Sequence, residues 1–250
     1  MLAFSPARFL QFLKLELYRN MRGILLVFEI TFGFLFVMGF LLNVVFEYKK
    51  VVFEHNDNYT FTLLVGGYIV SSLAFKDLGS SLKRHSYLLL PVSALEKFVS
   101  MWLLTALGWT CLFTLAFYLY SLVANMIGGM LFPNITFQSF NPFGAHALTT
   151  VKYFLATQGI FMVGSAQFRG YVFPKTAAVL VGLGLTVFAL FYLILFDVFL
   201  MDHVCVVPGH CELLDQSELG GWSILTWLFW WALPPLCWGL TYLGLKEQEA

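Results

Sequence analysis

The sequence predicts an all-α integral membrane protein. It has six transmembrane helices, an N-terminal amphipathic helix at the interface, and a short cytoplasmic helix between the second and third spans. Three observations lead there. Apolar residues fall into six blocks, each long enough to cross a bilayer, since roughly 20 residues cover about 30 Å of hydrocarbon. Hydrophobic residues make up 60% of the 250 and charged residues 11%, a balance that no water-soluble core of this size requires. Eleven of the fourteen basic residues fall on one side of the resulting topology, and positive charge stays on the side from which it need not be translocated. The expected spans are 23–46, 59–75, 98–126, 148–167, 176–200 and 222–245, in one transmembrane domain covering 1–250. An even count and the charge bias together place both termini in the cytoplasm.

The segment 5–20 reads as the interfacial helix. Ser5-Pro6 is a good helix start, with a capping hydroxyl and a ring that pre-sets the dihedral. Phe9, Leu10, Leu13 and Leu17 then share one face, and Arg8, Gln11, Lys14 and Tyr18 another. Such a basic, two-faced helix rests at the headgroup boundary. The alternative is a cytoplasmic extension of the first span. Charge interrupts this opening throughout, so it does not read as a cleavable signal peptide.

The first external loop, 47–58, is short and charged and shows no chemistry. Asn58-Tyr59-Thr60 and Asn134-Ile135-Thr136 fit the glycosylation sequon, a weak signal. The loop after the second span is the densest polar stretch, and it reads as a cytoplasmic helix over 80–90. Pro91 must end that helix, because it lacks a donor and restrains Leu90. Ser93-x-x-Glu96 is a capping box, so a new helix starts there and runs into the third span. Leu82, Tyr87 and the leucines at 88–90 are too apolar for a freely solvated loop, so the membrane surface or a partner protein should cover them.

The third external loop, 128–149, is aromatic, nearly uncharged and rich in turn signals, which suits a lid or re-entrant piece. The fourth loop, 164–176, is cytoplasmic and tight. In the last external loop, Cys205 and Cys211 flank a Pro-Gly turn. A disulfide, two free thiols, or metal binding with His203 and His210 are the readings open there. Cys111 and Cys237 read as small buried hydrophobes within spans. Trp222 suits an interfacial anchor, whereas Trp227, Trp230, Trp231 and Trp238 should pack against neighbouring helices.

Chemical motifs are absent. There is no HExxH, no Gly-x-Ser-x-Gly elbow, no paired-His metal cluster and no Gly-x-x-x-x-Gly-Lys-Ser/Thr loop to cradle ATP. Ionisable residues within spans are functional candidates by default. The list is Glu29, Lys152 and Asp197, each close enough to a span end to snorkel or pair. Net charge is zero, and nothing points to nucleic acid.

The stretch 83–98, KRHSYLLLPVSALEKF, resembles type-2 ABC exporter permeases, in particular the compact six-span branch common in Bacteroidota-type bacteria. There a Leu-Pro-x-Ser-x-x-Glu-Lys-Phe segment occupies this loop. Gly164-Ser165-x-x-Phe168-Arg169 with Phe173-x-Lys175-Thr176 is similar to the same branch after its fourth span. The resemblance implies a permease of the bacterial inner membrane that works as two copies with two separate ATP-binding cassette ATPase subunits. ATP and Mg would then sit on the partner, with no cofactor and no bond-changing chemistry on this chain. It also makes 80–90 a coupling helix, with Leu82, Lys83, Arg84, Tyr87, Leu88 and Glu96 at the ATPase contact. Leu82, Tyr87 and Leu88 would fill a cleft of the ATPase, and Lys83 and Arg84 would meet its acidic rim. The rival expectations are an integral-membrane enzyme acting on lipids, and a structural or immunity-type membrane protein without transport.

Overall fold

The structure is a computed structural model and describes residues 4–42, 52–79, 81–133, 135–202 and 220–249. Helices make up 84% of the described residues, so the all-α class holds. Helix α1 spans Pro6–Phe34 and continues as a π-helix over Leu35–Leu42. After it come α2 (Asn56–Ser72), a 3₁₀ turn (Lys76–Gly79) and α3 (Ser81–Leu88). Helix α4 runs Ala94–Leu131 with a π-helical turn, Leu103–Gly108, inside it. Then follow α5 (Ala145–Gln167), α6 (Val172–Asp202), α7 (Gly220–Trp231) and α8 (Leu233–Glu249). Three of these helical stretches, Pro6–Met38, Ala94–Leu131 and Val172–Leu190, are long and apolar enough to cross a membrane. Each of the six expected spans overlaps a helix among the described residues, although the second ends in the turn at 73–75.

Helix α5 occupies the middle, packed on α2 along one side and α8 along another. Glycines make the first contact possible. A Cβ on Gly67 would run into the Phe154 ring and come within 2.9 Å of the Trp109 indole. The Trp109 indole N–H donates to the Leu63 carbonyl at 3.1 Å. Around these residues lies an aromatic core of Tyr59, Trp109, Phe113, Phe117, Phe140 and Phe154.

Several expectations are corrected here. The segment 5–20 is not a separate helix, because α1 is unbroken from Pro6 to Phe34. Gly23 alone interrupts good helix formers there, at about 1 kcal/mol relative to Ala. Ser5 does stand at the N-cap, yet its hydroxyl makes no cap bond. The segment after α4 holds a short strand, β2 (Thr136–Phe137), paired in parallel with β1 (Val52–Phe53) from the segment before α2. Cys111 is exposed, while Cys237 is buried. Trp227 and Trp231 are exposed; Trp230 meets Tyr153 at 4.7 Å, and Trp238 meets Trp102 edge-on. Glu29 and Lys152 face outward. Cys205 and Cys211 lie outside the described residues.

Candidate functional site

The end of the helices that carries most of the basic residues holds a second core, and charged groups are built into it. Phe12 of α1, Phe75 and Leu78 around the 3₁₀ turn, Tyr87 of α3 and Met101 of α4 pack with Met162 and Ala166 of α5 and Leu245 of α8. Six elements therefore share this core, among them α3, the helix expected over 80–90.

The capping box forms as expected. Glu96 Oε2 accepts from the Ser93 backbone N–H at 2.8 Å, and Ser93 Oγ accepts from the Glu96 backbone N–H at 3.3 Å. Glu96 also reaches across the chain. Its Oε1 accepts from the Ser5 backbone N–H at 2.7 Å and lies 3.5 Å from the Arg8 guanidinium. This fully buried carboxylate thus caps two helices at once, which is why the Ser5 hydroxyl is not needed. Burial alone would raise the Glu96 carboxyl, but the Ser5 and Ser93 donors and Arg8 together hold it below the usual carboxylate range. It stands ahead of the apolar run of α4, which begins at Phe98.

About two to three turns further along α1, a second charged group closes the junction. Arg19 pairs with the buried Glu16 and, at 2.9 Å, with Asp77 of the 3₁₀ turn. Asn20 Nδ2 donates to the other Glu16 oxygen at 3.0 Å. The Tyr87 ring lies between two cations, with Arg19 5.5 Å and the buried Lys97 ammonium 5.3 Å from its centroid. Cations over a desolvated ring face are favourable by about 1–2 kcal/mol each. Arg19 therefore joins α1 to the 3₁₀ turn, and Tyr87 joins α3 to both α1 and α4.

The residues expected at the site divide between two faces. Tyr87 is 3% exposed and turned into its own core, so it does not stand outward to enter a partner. Glu96 is likewise internal. Lys83 is exposed, as are His85 and Ser86; Arg84 is half-buried, and Leu89 is 82% exposed. Nothing is described for the side chains of Leu82 and Leu88. Sequence reading missed Arg8, Glu16, Arg19, Asp77 and Lys97. A signal was present: Arg8, Phe12, Glu16 and Asn20 recur every four residues on one face of α1, and that is the face that turns inward. Leu10 and Leu17 of the expected lipid face stay exposed.

The second motif has a packing explanation. A Cβ on Gly164 would run into the Thr176 side chain, so α5 and α6 meet closely there. Phe161 stacks on Phe173 at 5.8 Å. The reversal between the helices uses left-handed backbone at Gly170 (φ 60°) and, unusually for a residue with a side chain, at Tyr171 (φ 46°).

Among the described residues, no group of three or more His, Cys, Asp and Glu could hold a metal ion. No family model matches this sequence, and no curated protein or solved structure is significantly similar to it.

Proposed function

We propose that this chain is the permease subunit of an ATP-driven exporter of the ABC type, coupling hydrolysis on a separate ATPase subunit to outward transport. The observation that carries the reading is the wiring of α3. A short helix outside the apolar runs is fixed by Tyr87, Arg19, Asp77 and Lys97 to the first and third spans. A solvated loop has no use for such a tether. A helix that takes up a partner's motion does, because displacement of α3 must carry α1 and α4 with it.

In this reading α1, α2, α4, α5 and α6, with α7 and α8 as one broken unit, are the six spans, with both termini in the cytoplasm of a bacterial cell. Helix α2, at 17 residues, reaches about 25 Å and needs some thinning of the bilayer. A second copy would cover α1 and α6, whose most apolar stretches have only 6% of residues buried. ATP binding would close the ATPase pair, pull on the two α3 helices and shift the permease halves from inward-facing to outward-facing. The contact falls to the outward side of α3, with Leu89 as its apolar anchor and Lys83 and His85 around it. Tyr87 acts behind it, as the joint to the membrane helices.

Co-purification tests the reading. The tagged chain, extracted from its native membrane in mild detergent, should bring down a protein with an ATP-cradling Gly-x-x-x-x-Gly-Lys-Ser/Thr loop. Leu89→Asp should reduce the yield at least tenfold, since a central anchor contributes about 2 kcal/mol or more. If no such ATPase accompanies the wild-type chain, the exporter reading fails.

A further inference from the structure

At the other end of α2 from the tethered junction, one histidine joins three pieces of chain. His55 stands between β1 and α2 and is 2% exposed. Its Nε2 lies 2.7 Å from Asn125 Oδ1 of α4. Asn125 Nδ2 donates to the Gln138 carbonyl at 3.2 Å, and the Gln138 backbone N–H donates to the Phe53 carbonyl at 3.0 Å. These bonds fix where the imidazole proton sits. Asn125 turns its N–H toward Gln138, so its oxygen faces His55 and Nε2 must carry the hydrogen. Nδ1 is then the bare nitrogen, and it is buried with no hydrogen-bond partner.

A second proton would have to go to Nδ1, where nothing accepts it. Phe53 of β1 stands 5.0 Å from the ring, and Phe117 and Tyr120 of α4 each stand 6.3 Å away. Tyr120 is the titratable group among these, and its buried hydroxyl makes no hydrogen bond either. Phe137 and Gln138, from β2 and the residue after it, do not titrate. On the histidine's own segment Glu54 and Asp57 are exposed, and no carboxylate among the described residues pairs with the ring. Burial therefore holds the imidazole below its ordinary range, and the Asn125 bond offsets only part of that. We infer that His55 is a proton-operated latch, which when neutral holds the β1–β2 pair to α4 and when protonated releases it. The released form takes the proton more readily, so release is absent above the ordinary histidine range and grows as pH falls below it. In the topology proposed above this end faces away from the cytoplasm, so acid outside works the latch. The latch itself depends on neither an ATPase partner nor transport.

Hydrogen exchange of the full chain in phosphatidylcholine nanodiscs tests it, read as protection so that the intrinsic pH dependence of exchange is removed. Protection of 52–56 and 136–139 should fall about tenfold between about pH 7.5 and about pH 5.5, the difference between a free histidine and one barred from its second proton. Protection of 154–162 in α5 should hold steady. His55→Gln does not titrate, so its protection should be flat across that range. Asn125→Asp sets a carboxylate against Nε2, which stabilises the imidazolium in place, and should keep the fall below about threefold. Unchanged protection in the wild type, or the full tenfold fall in either variant, overturns the latch. The Asn125 variant decides even if His55→Gln leaves the β1–β2 pair released at every pH, because it keeps the titrating group.

Discussion

Replacing Glu96 by alanine should cost about 3 kcal/mol of stability. The carboxylate accepts from the Ser5 and Ser93 backbone N–H groups at 2.7 and 2.8 Å. Each donor is half-buried, so leaving it without that acceptor costs about 1 kcal/mol or a little more. Loss of the buried Cγ methylene adds about 0.8 kcal/mol. Arg8 adds little, at 3.5 Å with a side chain about a third exposed, because solvent screens such a pair. Glu96→Gln keeps the methylenes and one acceptor oxygen, and should cost about 2 kcal/mol. Equilibrium unfolding in mixed dodecyl maltoside and SDS micelles measures both.

The pH dependence has a fixed sign. In the fold the Glu96 carboxyl is held below its ordinary value. Its contribution is therefore complete above the ordinary carboxylate range and is lost as pH falls through the lower folded value. The gap between wild type and Glu96→Gln should narrow in acid. If Glu96→Ala unfolds within 1 kcal/mol of wild type at neutral pH, the double cap across 91 residues is not a stabilising element.

Three further outcomes follow from the same geometry. Tyr87→Ala should cost about 3–5 kcal/mol, as for other aromatic residues lost from a core, while Tyr87→Phe keeps the ring between Arg19 and Lys97 and should stay within about 1 kcal/mol in the same unfolding assay. Gly67→Ala drives a methyl into the Phe154 ring and should destabilise by about 1–3 kcal/mol, whereas Gly129→Ala, with open space around it, should not. Single cysteines at positions 84 and 171 should resist a membrane-impermeant maleimide in intact cells and react after permeabilisation; labelling of both from outside would reverse the orientation.

How much could be read locally is clear from particular residues. The helical segments were legible because length and apolar content decide where a chain can cross hydrocarbon, and both are properties of consecutive residues. The capping box at Ser93 and Glu96 was legible too, since its partners stand three residues apart. The stop at Pro91 needed no more than a missing donor. By contrast, the second partner of Glu96 stands 91 residues away, and no local rule brings Ser5 to it.

Sequence by itself therefore determined the all-α class, the helical segments and the existence of a short helix before Pro91. Tertiary structure alone decided which side chains lie inside. It turned Tyr87 inward and Leu89 outward from one helix turn, continued α1 through the expected break, and paired β1 with β2. In water, hydrophobicity sorts residues between core and surface. In a chain built for a bilayer that sorting fails, because lipid is as apolar as leucine and a Phe or Leu is equally at home against a neighbouring helix or an acyl chain. What settles burial is shape, as at Gly67 and Gly164, and polar pairing, as at Glu16, Arg19 and Glu96, and both depend on residues far apart in the sequence.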